Sequence, residues 1–120
     1  MITPSYTLLY VNSPEASGAF YSQILGLTPV ETSSTFCLFV LETGTKLGFW
    51  SKHTVEPAAT PVGGSELAFA VSDNATVDST FANWSARGMQ IAQTPCSLDF
   101  GYTFVAQDPD GHRLRVFAPA

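Results

Sequence analysis

The residues equipped for chemistry sit on alternating strand-like runs. In His112-Arg-Leu-Arg-Val-Phe117 alternate side chains share a face, so Arg113, Arg115 and Phe117 point one way while Leu114 and Val116 suit a core on the other. Lys46-Leu-Gly-Phe-Trp-Ser51 places Gly48 and Trp50 on one face, and a small residue beside a large aromatic leaves an open plate for a flat ring. Ring stacking there adds roughly 0.5–1.5 kcal/mol beyond burial. Packing of Trp50 in an interface or core is the alternative. Phe49, its neighbour, is grouped with it as a binding residue. Glu66 and Arg115 fall on one face, where they either hydrogen-bond a polar ligand edge or pair with each other as buried charges must; pairing is the expectation. Tyr6 and Tyr10 share a face of the first strand with Leu8, as amphipathic walls of a site or as ordinary core tyrosines.

Other reactive residue types carry weaker signals. His53 has no carboxylate or nucleophile at a telling spacing, and His112 follows a turn, so neither is expected to be catalytic. Asp108 and Asp110 lie within Asp108-Pro-Asp-Gly111, a turn where aspartate serves the backbone, and no chemistry is assigned to them. Cys37 and Cys96 lack CxxC or Cys/His spacing and are expected to be buried, reduced thiols. Trp84 shares an apolar helix stripe with Phe81 and is expected in the core.

The elements that must position these residues repeat. A strand over 5–11 is followed by Ser13 as N-cap, Pro14 in the first turn, Ala16, Phe20 and Ile24 at a spacing of four, and Gly26 as stop. Strands are expected over 28–31, 36–42 and 46–51, the last two joined by a turn at Glu42-Thr-Gly-Thr45. Residues 51–65, rich in Pro and Gly, form a linker. Then a strand over 66–71, an Asp73 or Asn74 cap, a helix carrying Val77, Phe81 and Trp84, Gly88 as stop, and strands over 91–94, 102–107 and 112–117 repeat the order. Two βαβββ modules, about 1–55 and 62–120, make one domain of α+β class. Each has one sheet face covered by its helix and one bare.

Composition narrows the partners. The chain has 120 residues, 45% hydrophobic, enough for one core without staples. Five scattered Lys and Arg against ten Asp and Glu leave a net charge of -5, so neither nucleic acid nor an anionic membrane surface is an expected partner. With no basic leader in residues 1–10 and no long apolar run, a cytoplasmic protein is expected.

Taken together, Tyr6-x4-Val11, Phe20-Tyr21-x3-Leu25-Gly26, Glu66-x-Ala-Phe-x-Val71 with Asp73, and Asp108-Pro-Asp-Gly111 before a last strand resemble the glyoxalase, bleomycin-resistance and extradiol dioxygenase (vicinal oxygen chelate) superfamily. The resemblance implies a cupped, eight-stranded mixed sheet built from both modules, a ligand cleft, and a homodimer. Enzymes of that superfamily hold a divalent metal from positions that here carry Tyr6, Gly48, Glu66 and Arg115. Only Glu66 is a credible ligand among them, because glycine offers no donor and arginine keeps its charge. No metal and no cofactor are therefore expected. Further stretches, among them Ile2-Thr-Pro4, Trp50-Ser51, Phe100-Gly101-x-Thr103-Phe104 and Asp108 to His112, resemble phenazine-resistance proteins of the superfamily, which bind a planar aromatic drug. Tyr102 departs from that pattern. The expected function is non-catalytic sequestration of a small planar aromatic molecule, with Trp50, Glu66, Arg115, Tyr6, Tyr10, Gly48, Phe49 and Phe117 as binding residues. The alternatives are a metal-dependent lyase, isomerase or dioxygenase with atypical ligands, and a metal-free enzyme using Glu66 as base.

Overall fold

The computed structural model describes residues 3–61, 63 and 65–120. Ile2 of the Ile2-Thr-Pro4 stretch and Val62 and Gly64 of the linker lie outside them. Contacts divide the chain into two compact units, Met1–Val62 and Gly63–Ala120.

The first unit runs β1 (Tyr6–Val11), α1 (Pro14–Leu25), β2 (Glu31–Thr32), β3 (Phe36–Val40) and β4 (Lys46–Ser51). Its four strands form one mixed sheet in the order β1-β4-β3-β2. Strand β1 is parallel to β4, and the other neighbours are antiparallel. The second unit repeats the plan with β5 (Glu66–Ala70), α2 (Asn74–Ala86), β6 (Gln90–Leu98), β7 (Gly101–Gln107) and β8 (Arg113–Pro119), in the order β5-β8-β7-β6. The eight strands are thus divided into two four-stranded sheets, one for each βαβββ module.

Local rules set the helix ends. The Ser13 side chain accepts the Ala16 N–H at 3.1 Å, and Gly26 closes α1 in the left-handed region at φ 65°. Asp73 caps α2, accepting the Thr76 N–H and hydroxyl. The buried stripe of α1 differs from the expected Ala16, Phe20 and Ile24: Pro14, Ser17, Gly18 and Tyr21 face the sheet. The reason is close approach. A Cβ on Gly18 would lie 2.8 Å from Cys37 Sγ, so only a small residue fits where helix meets strand. One turn on, Tyr21 stacks on Phe49 with centroids 4.5 Å apart, and Phe39 meets Phe49 edge-on. Full burial of each such ring is worth about 1.5–3 kcal/mol.

In the second unit α2 covers β7 and β8 through Trp84 and Phe81, both edge-on to Phe104. Trp84 is in the core, as its helical spacing indicates, with Leu114, Val116 and Ala118 of β8 buried. Strand β6 is longer than the expected 91–94, because Pro95 is carried at a register irregularity between Gln93 and Cys96 and pairing resumes beyond it. Cys96, expected buried, is therefore a partly exposed strand residue opposite Thr103, whereas Cys37 is fully buried. Burial pushes the Cys37 thiol above its usual range, with a hydrogen bond to Thr32 opposing.

The turn between β7 and β8 is closed by buried Asp108. Its Oδ1 accepts the N–H groups of Asp110 and His112 at 2.9 and 2.8 Å, and its Oδ2 lies 2.7 Å from His112 Nδ1. Both aspartates and His112 could together meet a cation, yet their geometry is that of a backbone-bonded turn.

Two outcomes follow from these contacts. Gly18→Ala is expected to destabilise the protein by about 1–3 kcal/mol in chemical denaturation, through overpacking against Cys37. In a Cys37→Ala background the same change should be neutral or stabilising; equal cost in both backgrounds would refute the contact. His112 is raised above 6.5 by its hydrogen bond to Asp108, against the opposing effect of burial. A group raised on folding stabilises fully below its unfolded pKa, and that contribution is lost as pH rises through the folded value. His112→Ala should cost about 1.5 kcal/mol near pH 6, and clearly less near pH 9, in denaturant midpoints at the two pH values.

Candidate functional site

Alternation leaves each sheet a face that its own helix does not cover. In the second unit β8 buries Leu114, Val116 and Ala118 against α2, so Arg113, Arg115 and Phe117 project from the other face. Register adds neighbours from the flanking strands: Glu66, Ala68 and Ala70 on β5 lie opposite Arg113, Arg115 and Phe117. On the other side Thr103 and Val105 of β7 lie opposite Phe117 and Arg115.

Arg115 organises this face. Its Nε donates to Glu66 Oε2 at 2.8 Å, a diagonal pairing, since Glu66 stands opposite Arg113 in register. Its Nη1 donates to the hydroxyl of fully buried Thr103 at 3.2 Å, and that hydroxyl donates to the Val116 carbonyl at 2.9 Å. The hydroxyl proton is thereby committed to a backbone oxygen, which leaves a lone pair for the guanidinium. Arg115 also stacks over Phe100, with Cζ 5.4 Å from the ring centroid, and Phe100 meets Phe117 edge-on at 5.7 Å. Around them lies a shallow, open depression of about 450 Å³ lined by Glu66, Ala68, Phe100, Arg115 and Phe117. It offers a face for a flat molecule to lie on, not an enclosing pocket. The expected pairing of Glu66 with Arg115 is present, and the pair forms one side of that depression.

The first unit's open face is aromatic. Tyr10, Trp50 and Phe36 form one cross-strand row, with Trp50 and Phe36 edge-on at 6.1 Å. Tyr6 and Tyr10 are 53% and 45% exposed in the chain, so neither is a core tyrosine within it. Lys46 Nζ sits 5.1 Å from the Tyr6 ring centroid. The space over Gly48 is not open: a Cβ there would lie 2.7 Å from Leu8 Cδ2 and 3.0 Å from Phe36 Cζ. The plate expected beside Gly48 is narrowed because Phe36 leans into the gap that glycine leaves. Phe49 does not belong to this face. Strand alternation turns it inward, fully buried against Tyr21.

Two residues that sequence reasoning left out of the site complete the second unit's face. Thr103 holds Arg115, and Phe100 supplies the exposed ring. The signal for Phe100 is its neighbour. Gly101 adopts φ 148°, and a Cβ there would run into the Ala118 carbonyl oxygen, so the chain passes close to β8 and returns Phe100 to the open face. Tyr102, by contrast, points to the helix side and donates to Asp78 Oδ1 at 2.7 Å; that hydrogen bond raises its phenol above the usual range. His53 Nε2 lies 2.8 Å from Asn12 Oδ1, a loop-to-strand-end tie.

The four positions that hold metal in superfamily enzymes do not fit a divalent ion here. Gly48 has no donor and its space is filled by Leu8 and Phe36. Arg115 is a fixed cation that already occupies Glu66, the one good ligand of the set. Tyr6 faces Lys46. One engaged carboxylate and one phenol fall short of the three protein ligands a catalytic metal needs.

The profile of the glyoxalase/bleomycin resistance protein/dioxygenase superfamily matches residues 3–116. The chain is 31% identical to the phenazine antibiotic resistance protein EhpR of Enterobacter agglomerans, over 96% of this chain and 91% of that protein. Among solved structures, the solution NMR structure of a protein from Agrobacterium tumefaciens is 57% identical with a TM-score of 0.91, covering 100% of this chain and 99% of the other. A glyoxalase-related enzyme from Fulvimarina pelagi, 22% identical, shares the fold with a TM-score of 0.84 over 98% of this chain and 88% of its own. No helix among the described residues is long and apolar enough to cross a membrane. Matched along almost its whole length by that profile, and carrying its paired βαβββ modules, the chain belongs to the glyoxalase/bleomycin resistance protein/dioxygenase superfamily.

Proposed function

We propose that this protein binds a small planar aromatic molecule without transforming it, and so protects its host from an aromatic antibiotic. The observation that carries the reading is the second unit's open depression, in which Phe100, Phe117 and Ala68 offer apolar surface beside the Arg115–Glu66 pair. A flat ring fits against such rings edge-on or offset, and the guanidinium plane offers a further stacking surface. Similarity to a phenazine antibiotic resistance protein supports the biological role. The donor set supports binding over chemistry, since it does not suit a metal and the Glu66 carboxylate is already engaged by the Arg115 guanidinium at 2.8 Å. Sequestration, with a homodimer in the cytoplasm as its setting, is the function proposed.

Calorimetric titration with phenazine and with quinoxaline tests it. Saturable binding of at least one is expected, with the ligand recovered unchanged. Phe100→Ala and Phe117→Ala should each weaken it about tenfold, the scale of one stacking contact plus lost burial. Trp50→Ala in the same titration measures what the first unit's aromatic row contributes. Thr103→Val should weaken binding through a loosened Arg115 and cost about 1 kcal/mol of stability. No heat and no displacement with either compound, or conversion of the ligand during incubation, would sink the proposal.

A further inference from the structure

Phe100 supplies an exposed ring to the second unit's open face, yet it belongs to no strand. With Asp99 it makes the connection between β6 and β7, where Leu98 and Gly101 pair in register. Among the described residues only glycines have positive φ, so Asp99 and Phe100 do not form the primed turn whose twist matches an antiparallel pair. Gly101 takes up the mismatch at φ 148°, a backbone conformation that residues with a Cβ rarely adopt. Space forbids a side chain there as well: a Cβ would run into the carbonyl of Ala118, on the strand that carries Arg115 and Phe117. One residue past that strand, the Ala120 N–H donates to the Phe100 carbonyl at 2.9 Å. The backbone leaving the turn is thus pinned at two points. The Phe100 ring, 44% exposed, lands 5.4 Å from Arg115 Cζ and 5.7 Å from the Phe117 ring. A ring so exposed gains little from burial, and its order must come from the backbone beneath it.

Resting on the proposed function for its ligand, we infer that Gly101 is a positioning residue of this face: pressed against Ala118, it seats Phe100 over Arg115 as a platform that is fixed before anything lies on it. Gly101 acts through Phe100 and by what it lacks. Only a residue without a Cβ lets the chain come so near to β8 at the point where it leaves the turn. The Ala120 bond is the second half of this clamp. A ring already in place gives up less rotamer freedom on binding, so the clamp contributes to affinity as well as to stability.

Gly101→Ala tests the inference where it folds. Ala120→Pro removes the N–H donor at an exposed residue and tests it independently of that strain. The first readout needs no ligand. In the free protein the Arg115 Nε–H proton resonance carries a ring-current shift from Phe100, and Phe100→Ala locates its unshifted position. Both clamp variants should move the resonance toward that position, with the denaturation midpoint of Ala120→Pro unchanged. In titration with phenazine, Gly101→Ala should weaken binding by about tenfold and Ala120→Pro by about threefold, the latter being the scale of one backbone hydrogen bond. In a Phe100→Ala background neither change should weaken binding further, because the ring through which the clamp acts is gone. A resonance unmoved by Phe100→Ala or by Ala120→Pro, or a loss of affinity that persists undiminished in the Phe100→Ala background, overturns the positioning role. Failure of phenazine to bind the unmodified protein, with the resonance moving as expected, overturns the proposed function and leaves Gly101 as the residue that seats Phe100.

Discussion

The guanidinium of Arg115 is the tie on which the open face of the second module depends. Strand alternation fixes its direction, because Leu114 and Val116 must be buried beneath α2. Once outward, it meets a carboxylate on β5, a hydroxyl on β7 and a ring in the turn just before β7. One side chain thus links three strands, and each partner is itself held. Thr103 is fixed by its bond to the Val116 carbonyl, and Phe100 by Gly101 and by the Ala120 N–H that donates to the Phe100 carbonyl at 2.9 Å. A long, flexible side chain is costly to order, and this one is ordered by partners on both sides.

The two modules repeat one topology and diverge in what their uncovered faces carry. Both place the first strand parallel beside the last, and both bury aromatic rings between helix and sheet. On the open side the first module presents Tyr6, Tyr10, Trp50 and Phe36, with Lys46 over a ring; the second presents a charged pair, an arginine that has no ion pair among the described residues, and two phenylalanines. A repeated backbone makes such divergence cheap, since outward positions are released from core packing and free to change chemistry.

The same outward positions explain why the superfamily's metal chemistry does not map onto this chain. Replacing a neutral or anionic ligand with a guanidinium reverses the charge preference of the locus, and the remaining carboxylate is drawn into an ion pair rather than toward a cation. What is left is a face that carries two aromatic rings, an ion pair and the exposed Arg113. These differences sit at a few outward strand positions, apart from the core residues packed beneath the helices.

The sequence by itself determined the features governed by neighbours in the chain. Ser13-Pro14 starts α1, Gly26 stops it, Asp73 caps α2, Asp108 to Gly111 turns the last hairpin, and the alternation in β8 separates Arg115 from Leu114. Each rests on an interaction spanning a few residues, which is why each was legible. The expected partnership of Glu66 and Arg115 was legible too, because a charged pair on one face of adjacent strands has few other ways to be satisfied. Tertiary structure decided the rest. The stripe of α1 shifted to Ser17, Gly18 and Tyr21 because the helix approaches Cys37 closely, a distance no periodicity encodes. Phe36 filled the gap over Gly48, Phe49 turned to Tyr21, and Pro95 was absorbed in a longer β6 by irregular pairing with β7. Phe100 and Thr103 joined Arg115 only through the register of β7 on β8. Contacts between residues far apart in the chain depend on how strands align and how near a helix comes. Those quantities belong to the packed molecule rather than to any segment of it.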